Sequence, residues 1–128
     1  MKQTMLSIFG VGAAGFLGAI SRYLLSGWVY GLAGGRLPWG TLAVNVAGSF
    51  LLGIVYILSV ERSAVSPELR VILAVGFLGS LTTFSTFSME TVNLLREGNI
   101  YLSLTNILLN MLLSFAAVIA GMAVAKVF

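Results

Sequence analysis

The side chains in this sequence that can do chemistry are hydroxyls, amides and phenyl rings, and one stretch concentrates them. Gly76-Phe-Leu-Gly-Ser-Leu-Thr-Thr-Phe-Ser-Thr-Phe-Ser-Met89 holds six Ser/Thr residues and three phenylalanines beside two glycines, all in an uncharged run. The hydroxyls of Thr82, Thr83, Ser85, Thr86 and Ser88 can bond backbone carbonyls and bend or open a helix. An opening near Gly79–Thr83 would free carbonyl oxygens, and half-helix ends at membrane depth are ion sites. Phe84 and Phe87 stand three apart on one helix face, interleaved with hydroxyls rather than leucines. Two more stripes repeat every four residues: Thr41, Asn45 and Ser49, then Asn106, Asn110 and Ser114. Packing is the ordinary fate of Phe, and hydrogen bonding to a neighbouring helix that of Ser and Thr, so Ser49 reads as structural. Asn45 admits a structural and a functional reading, because its amide brings two donors and an acceptor that are costly to hide in lipid. Glu90 closes the run. It is the only acid at the edge of a hydrophobic span, which makes it either a functional candidate or a solvated interfacial group.

The composition removes several chemistries from consideration. The 128 residues include no cysteine and no histidine, which excludes disulfides, zinc and haem ligation and Cys/His or Ser/His/Asp catalysis within one chain. An enzyme is not expected. Seven Lys/Arg against four Glu give a net charge of +3, but they stand singly, without the basic run that nucleic-acid binding requires.

The elements that must position these groups are membrane helices. Apolar residues make up 59% of the chain and charged ones 9%, and the mean hydropathy is +1.04. A soluble domain of this size has too little interior for so much apolar side chain. Four charge-free runs, Gln3–Ser21, Leu37–Val60, Val71–Met89 and Gly98–Ala125, each approach the length of a span. The spacing predicts an all-α membrane protein forming one four-helix transmembrane domain. Its helices are expected over residues 4–30, 38–60, 67–97 with a break near 79–83, and 99–127. The first run is too long for a signal peptide and lacks a clear cleavage site. Gly10-x-Gly12-x-x-Gly15 matches a dinucleotide fingerprint only formally: that fingerprint needs a preceding strand and an acid roughly 20 positions later, and here only nine residues stand before it and no acid appears before Glu61. Close helix packing explains it better. Arg22, near the end of that run, reads equally as a snorkelling residue and as one that makes a vestibule positive. Trp28, Tyr30 and Trp39 suit the membrane boundary. Ser66-Pro67-Glu68 reads as a helix start, with Ser as N-cap and Pro at the first position.

Four spans put both termini and the second connection on one side, with Lys2, Arg62, Arg70 and Lys126; Arg22, Arg36 and Arg96 fall on the other. Four cations against three barely bias insertion. Insertion both ways up would allow an antiparallel, dual-topology homodimer with a shared two-fold patch, and four small helices alone hardly enclose a pore. Amide and hydroxyl donors and the positive rims of phenyl rings, without a fixed full charge, suit an anion that must bind and leave.

Trp39-Gly-Thr-Leu-Ala-Val-Asn45 with Gly48, Gly76 through Glu90, and Gly18-Ala-x-x-Arg22 together resemble the Fluc (CrcB) fluoride channel family, along the whole chain. The resemblance implies an antiparallel homodimer in the inner (plasma) membrane with two fluoride pores. It implies passive export of fluoride that accumulated as HF. It also implies a structural Na⁺ where the broken third helices cross, held by the backbone carbonyls of Gly79 and Thr82. By the same resemblance Phe84, Phe87 and Asn45 line the fluoride path, with Thr41, Thr86, Glu90, Asn110 and Ser114 on a polar track. Asn106 stands where some relatives carry tyrosine. The alternative from another class is a small dual-topology proton-coupled multidrug transporter. That would need a membrane carboxylate trading protons for a cationic drug, and Glu90 is the only candidate.

Overall fold

The computed structural model describes residues 2–128, and among them there is no strand. Four helices are long and apolar enough to cross a membrane: Thr4–Ala33, Trp39–Glu61, Pro67–Arg96 and Ile100–Val127. The first is α1 (Lys2–Ala33), which continues three residues past the expected end, with Arg22 inside it. Gly34 and Gly35 stop it with positive φ values of 58° and 80°, and Pro38 precedes α2 (Trp39–Tyr56). A π-helical turn over Ile57–Glu61 extends α2.

The third span is segmented. It opens with α3 (Pro67–Val71), where Ser66 Oγ accepts from the Leu69 N–H at 3.2 Å and Pro67 sits in the first turn. A π-helical stretch, Ile72–Leu78, leads into the single turn α4 (Gly79–Leu81). Thr82 and Thr83 are then extended, with ψ of 158° and 118°, before α5 (Phe84–Arg96) begins. The last span is α6 (Ile100–Val127).

Packing pairs α2 with α6 and α1 with the third span. The α2–α6 crossing is close because Gly121 lies against the Phe50 carbonyl, where a Cβ would collide. The small apolar core, Val44, Leu78 and Leu81 with Leu25, Val55 and Phe77, sits just N-terminal to the extended pair and anchors it. Most large apolar side chains of α1 and many of α6 face outward, as a lipid-facing surface requires.

Candidate functional site

The helical ladder runs as far as the N–H of Thr82, and three local causes then take Thr83 out of it. The Leu78 carbonyl takes two bonds from Thr82, one from its N–H and one from Oγ1, both at 3.0 Å. Asn45 of α2 then competes for the next residue: Thr83 N–H donates to Asn45 Oδ1 at 2.8 Å, and Asn45 Nδ2 donates to the Thr83 carbonyl at 3.2 Å. In an unbroken helix that N–H would belong to the Gly79 carbonyl. Thr83 Oγ1 accepts from the Thr86 N–H at 3.1 Å, so Thr83 is the N-cap of α5. Gly48 makes the room, since a Cβ there would strike the Thr82 methyl group.

One cavity of about 280 Å³ opens beside this interruption. It brings together Asn45, Gly79, Thr82, Phe84, Phe87, Asn110 and Ser114 of the predicted residues. Thr83, Ser49 and Met111 also line it. The two phenyl rings meet at a centroid distance of 5.4 Å and an angle of 56°. They are not equivalent: Phe84 is 75% exposed in the single chain and Phe87 only 7%. Because α5 starts afresh at Phe84, its first turn places the positive end of a helix dipole at this cavity, in low-dielectric surroundings.

The remaining predicted residues fall elsewhere. Thr41 and Glu90 meet at the end of the spans, where Glu90 Oε1 accepts from the Thr41 hydroxyl at 2.8 Å and from the Tyr30 hydroxyl at 2.6 Å. Glu90 Oε2 is buried and makes no hydrogen bond among the described residues. Tyr30 and Glu90 border a second cavity of about 330 Å³ with Arg36, Asn93 and Glu97. Thr86 touches neither space and serves the cap, accepting from Thr83 Oγ1 at 3.0 Å. Arg22 borders neither cavity. Its Nη1 lies 3.4 Å from the Thr82 carbonyl, behind the interruption. No cluster of His, Cys, Asp or Glu able to hold a metal occurs among the described residues.

The two polar stripes meet at Asn45 and Asn110, and their amides do not all point into the cavity. Asn45 Nδ2 donates to Asn110 Oδ1 at 3.0 Å, Asn110 Nδ2 to Asn106 Oδ1 at 3.0 Å, and Asn106 Nδ2 to Thr91 Oγ1 at 2.8 Å. Sequence reading missed three participants. Tyr30 reads as a boundary aromatic, and Thr91 and Ser103 stand in no stripe. The Thr83-Phe-Ser-Thr86 spacing could have announced the cap, but nothing in the sequence singles out Thr91.

Four apolar spans with a continuous polar chain between them, beside an open cavity, define a small multi-pass membrane protein. The chain belongs to the CrcB family, whose model, described as CrcB-like protein, Camphor Resistance, matches residues 9–122. It is 49% identical over 116 residues to the fluoride-specific ion channel FluC of Hahella chejuensis, covering 91% of each chain. It is 45% identical over 122 residues to the fluoride-specific ion channel FluC of Geotalea daltonii, covering 95% of this chain and 98% of that one. The protein of the same name from Agrobacterium fabrum is 44% identical over 122 residues. The relatives carry the name of an ion channel, not of an enzyme. In bacteria such a multi-pass protein resides in the plasma membrane.

Proposed function

We propose that this chain forms a passive, fluoride-selective channel that lets fluoride leave the cytoplasm. The observation that carries the reading is the cavity at the capped N-terminus of α5, walled by the Phe84 and Phe87 rings. Helix-start N–H groups and phenyl rims are both electropositive, and no carboxylate lies on that wall. The site therefore favours a small anion over a cation. It also holds the anion without a fixed full charge, which permits release. Asn45 and Asn110 belong to the wall, but both hydrogens of Asn45 are already donated, to Asn110 and to the Thr83 carbonyl. An anion reaching Asn45 exchanges with one of those bonds, so fluoride's strong demand for donors works in its favour against chloride. Thr41 and Glu90 mark the entrance on the Tyr30 side, and Ser114 continues the track beyond Asn110.

The unit of function is proposed to be an antiparallel homodimer with two pores, its axis at the two interrupted third spans. The exposure of Phe84 and of Gly79 in the single chain supports a partner at that face. Na⁺ fits the same place. Gly79 O lacks the Thr83 N–H as a partner, and among the described residues Thr82 O receives only the long contact from Arg22. Carbonyl oxygens are the hard ligands such a cation takes. Gly79 and Thr82 would hold it, and the ion would supply a fixed positive charge that ties the two interruptions together.

The test is fluoride efflux from proteoliposomes containing the purified chain. Rapid fluoride loss with chloride retained is expected. No fluoride loss, or chloride leaving at a comparable rate, would overturn the channel reading.

A further inference from the structure

We propose that Thr91 is a positioning residue for this cavity: it ends a one-way hydrogen-bond chain that keeps Asn45 clamped on the interrupted span. The proposal rests on the reading of the cavity as the fluoride path. Its structural half can be tested apart from transport.

The direction of the chain follows from its ends. Thr91 Oγ1 lies 2.7 Å from the Phe87 carbonyl, which has no proton, so Thr91 must donate its only hydrogen there. Thr91 Oγ1 is then an acceptor for its other close neighbour, and the Asn106 atom 2.8 Å away must be the amide nitrogen. That turns Asn106 Oδ1 toward Asn110 Nδ2, and Asn110 Oδ1 toward Asn45 Nδ2. From the other end, Thr83 N–H can only donate, which makes the Asn45 atom facing it the oxygen and the remaining one the nitrogen. The two ends dictate the same sense. Donation runs from Thr83 N–H through Asn45, Asn110, Asn106 and Thr91 to the Phe87 carbonyl.

The chain thus leaves the third span at Thr83, crosses α2 and α6, and returns to the same span at Phe87. It closes only while the first turn of α5 keeps the observed distance from Asn45. Asn106 is 2% exposed and absent from the cavity wall, and Thr91 is also buried, so both act from behind the wall. Ser103 Oγ adds a second tie to α6 by donating to the Thr91 carbonyl at 3.1 Å. Within a span no water replaces a lost partner, and linked bonds strengthen one another. Removing the terminal acceptor leaves Asn106 Nδ2 unpaired. The most direct relief is a turn of that amide, which takes from Asn110 Nδ2 one of its two acceptors, leaving only the Asn106 backbone carbonyl at 3.1 Å, and so loosens Asn110 and then Asn45.

The experiment uses the full chain, labelled with ¹⁵N-asparagine, in lipid nanodiscs, and follows side-chain amide proton exchange by NMR. The chain has five asparagines. In the unmodified protein Asn45, Asn106 and Asn110 should exchange slowly, and Asn93 and Asn99, outside the chain, rapidly. Thr91→Val, equal in shape but without the hydroxyl, should speed exchange at all three by about tenfold. Thr91→Ser should restore protection. Fluoride efflux should fall about tenfold in Thr91→Val and return in Thr91→Ser. Uniform exchange across the five asparagines of the unmodified protein would overturn the proposal, even if no variant folds. So would Asn45 protection that survives Thr91→Val, or a Ser variant behaving like the Val one. Protected amides in an unmodified protein that passes no fluoride would overturn the channel reading and leave the clamp standing.

Discussion

At the scale of single residues, the most informative position is Asn45. Its oxygen and nitrogen bind opposite groups of the same residue, Thr83, so the amide can serve only in one orientation. Asn45→Asp keeps the shape but sets a second acceptor against the Thr83 carbonyl and Asn110 Oδ1. The expected result is a stability loss of about 2 kcal/mol, read by thermal unfolding in detergent, with fluoride efflux lost. The rings of Phe84 and Phe87 make a different demand, since what matters is the rim. Phe84→Ile and Phe87→Ile preserve bulk and remove the quadrupole, and efflux should drop at least about tenfold with the elution volume unchanged. Normal efflux from both variants would dismiss the ring-edge argument. Asn45 was legible in the sequence because a lone amide in a span stands out. Its clamp on Thr83 was not, because that bond joins residues 38 positions apart.

At the scale of elements, the third span works because it ends and begins again within the membrane. Thr83 supplies the cap that lets α5 start there. Thr83→Val should cost about 1 kcal/mol of stability and lower efflux, whereas Thr83→Ser should keep the cap and most of the activity. The α2–α6 crossing can be tested separately. Gly121→Leu drives a side chain into the Phe50 carbonyl and should cost about 3 kcal/mol, seen as a lower unfolding temperature, while Gly27→Ala, where a Cβ meets nothing, should be silent. The Gly/Ser/Thr content flagged this span in advance. The two extended residues depend on the Thr83 cap acting together with Asn45 and Gly48, and the last two lie in another span.

At the scale of the whole molecule, charge is the lever. Arg22 turns into the helix bundle toward Thr82, so the flanking cations are Lys2, Arg62, Arg70 and Lys126 on one side and Arg36 and Arg96 on the other. An excess of two orients a chain weakly. If the working unit is antiparallel, two extra lysines at either end should abolish fluoride efflux when that variant is expressed alone. Co-expression with a variant biased the opposite way should restore it, and full activity of a single strongly biased variant would rule out the antiparallel pair. If Na⁺ sits on Gly79 and Thr82, replacing all sodium by a bulky organic cation should lower efflux, and no change on exhaustive removal would count against that site.

The sequence alone determined the class: a run of about 20 uncharged apolar residues has no stable place but a bilayer, and four of them leave room for little else. Periodicity also put Asn45, Asn110, Phe84 and Phe87 on faces able to meet, because helical spacing is a local rule. Tertiary structure decided which groups stay available to an ion. Each amide donates in a direction fixed by its neighbours on other spans, so the stretch Gly76–Met89 became a capped half-helix, an interrupted turn and a cavity wall only once α2 and α6 were packed around it.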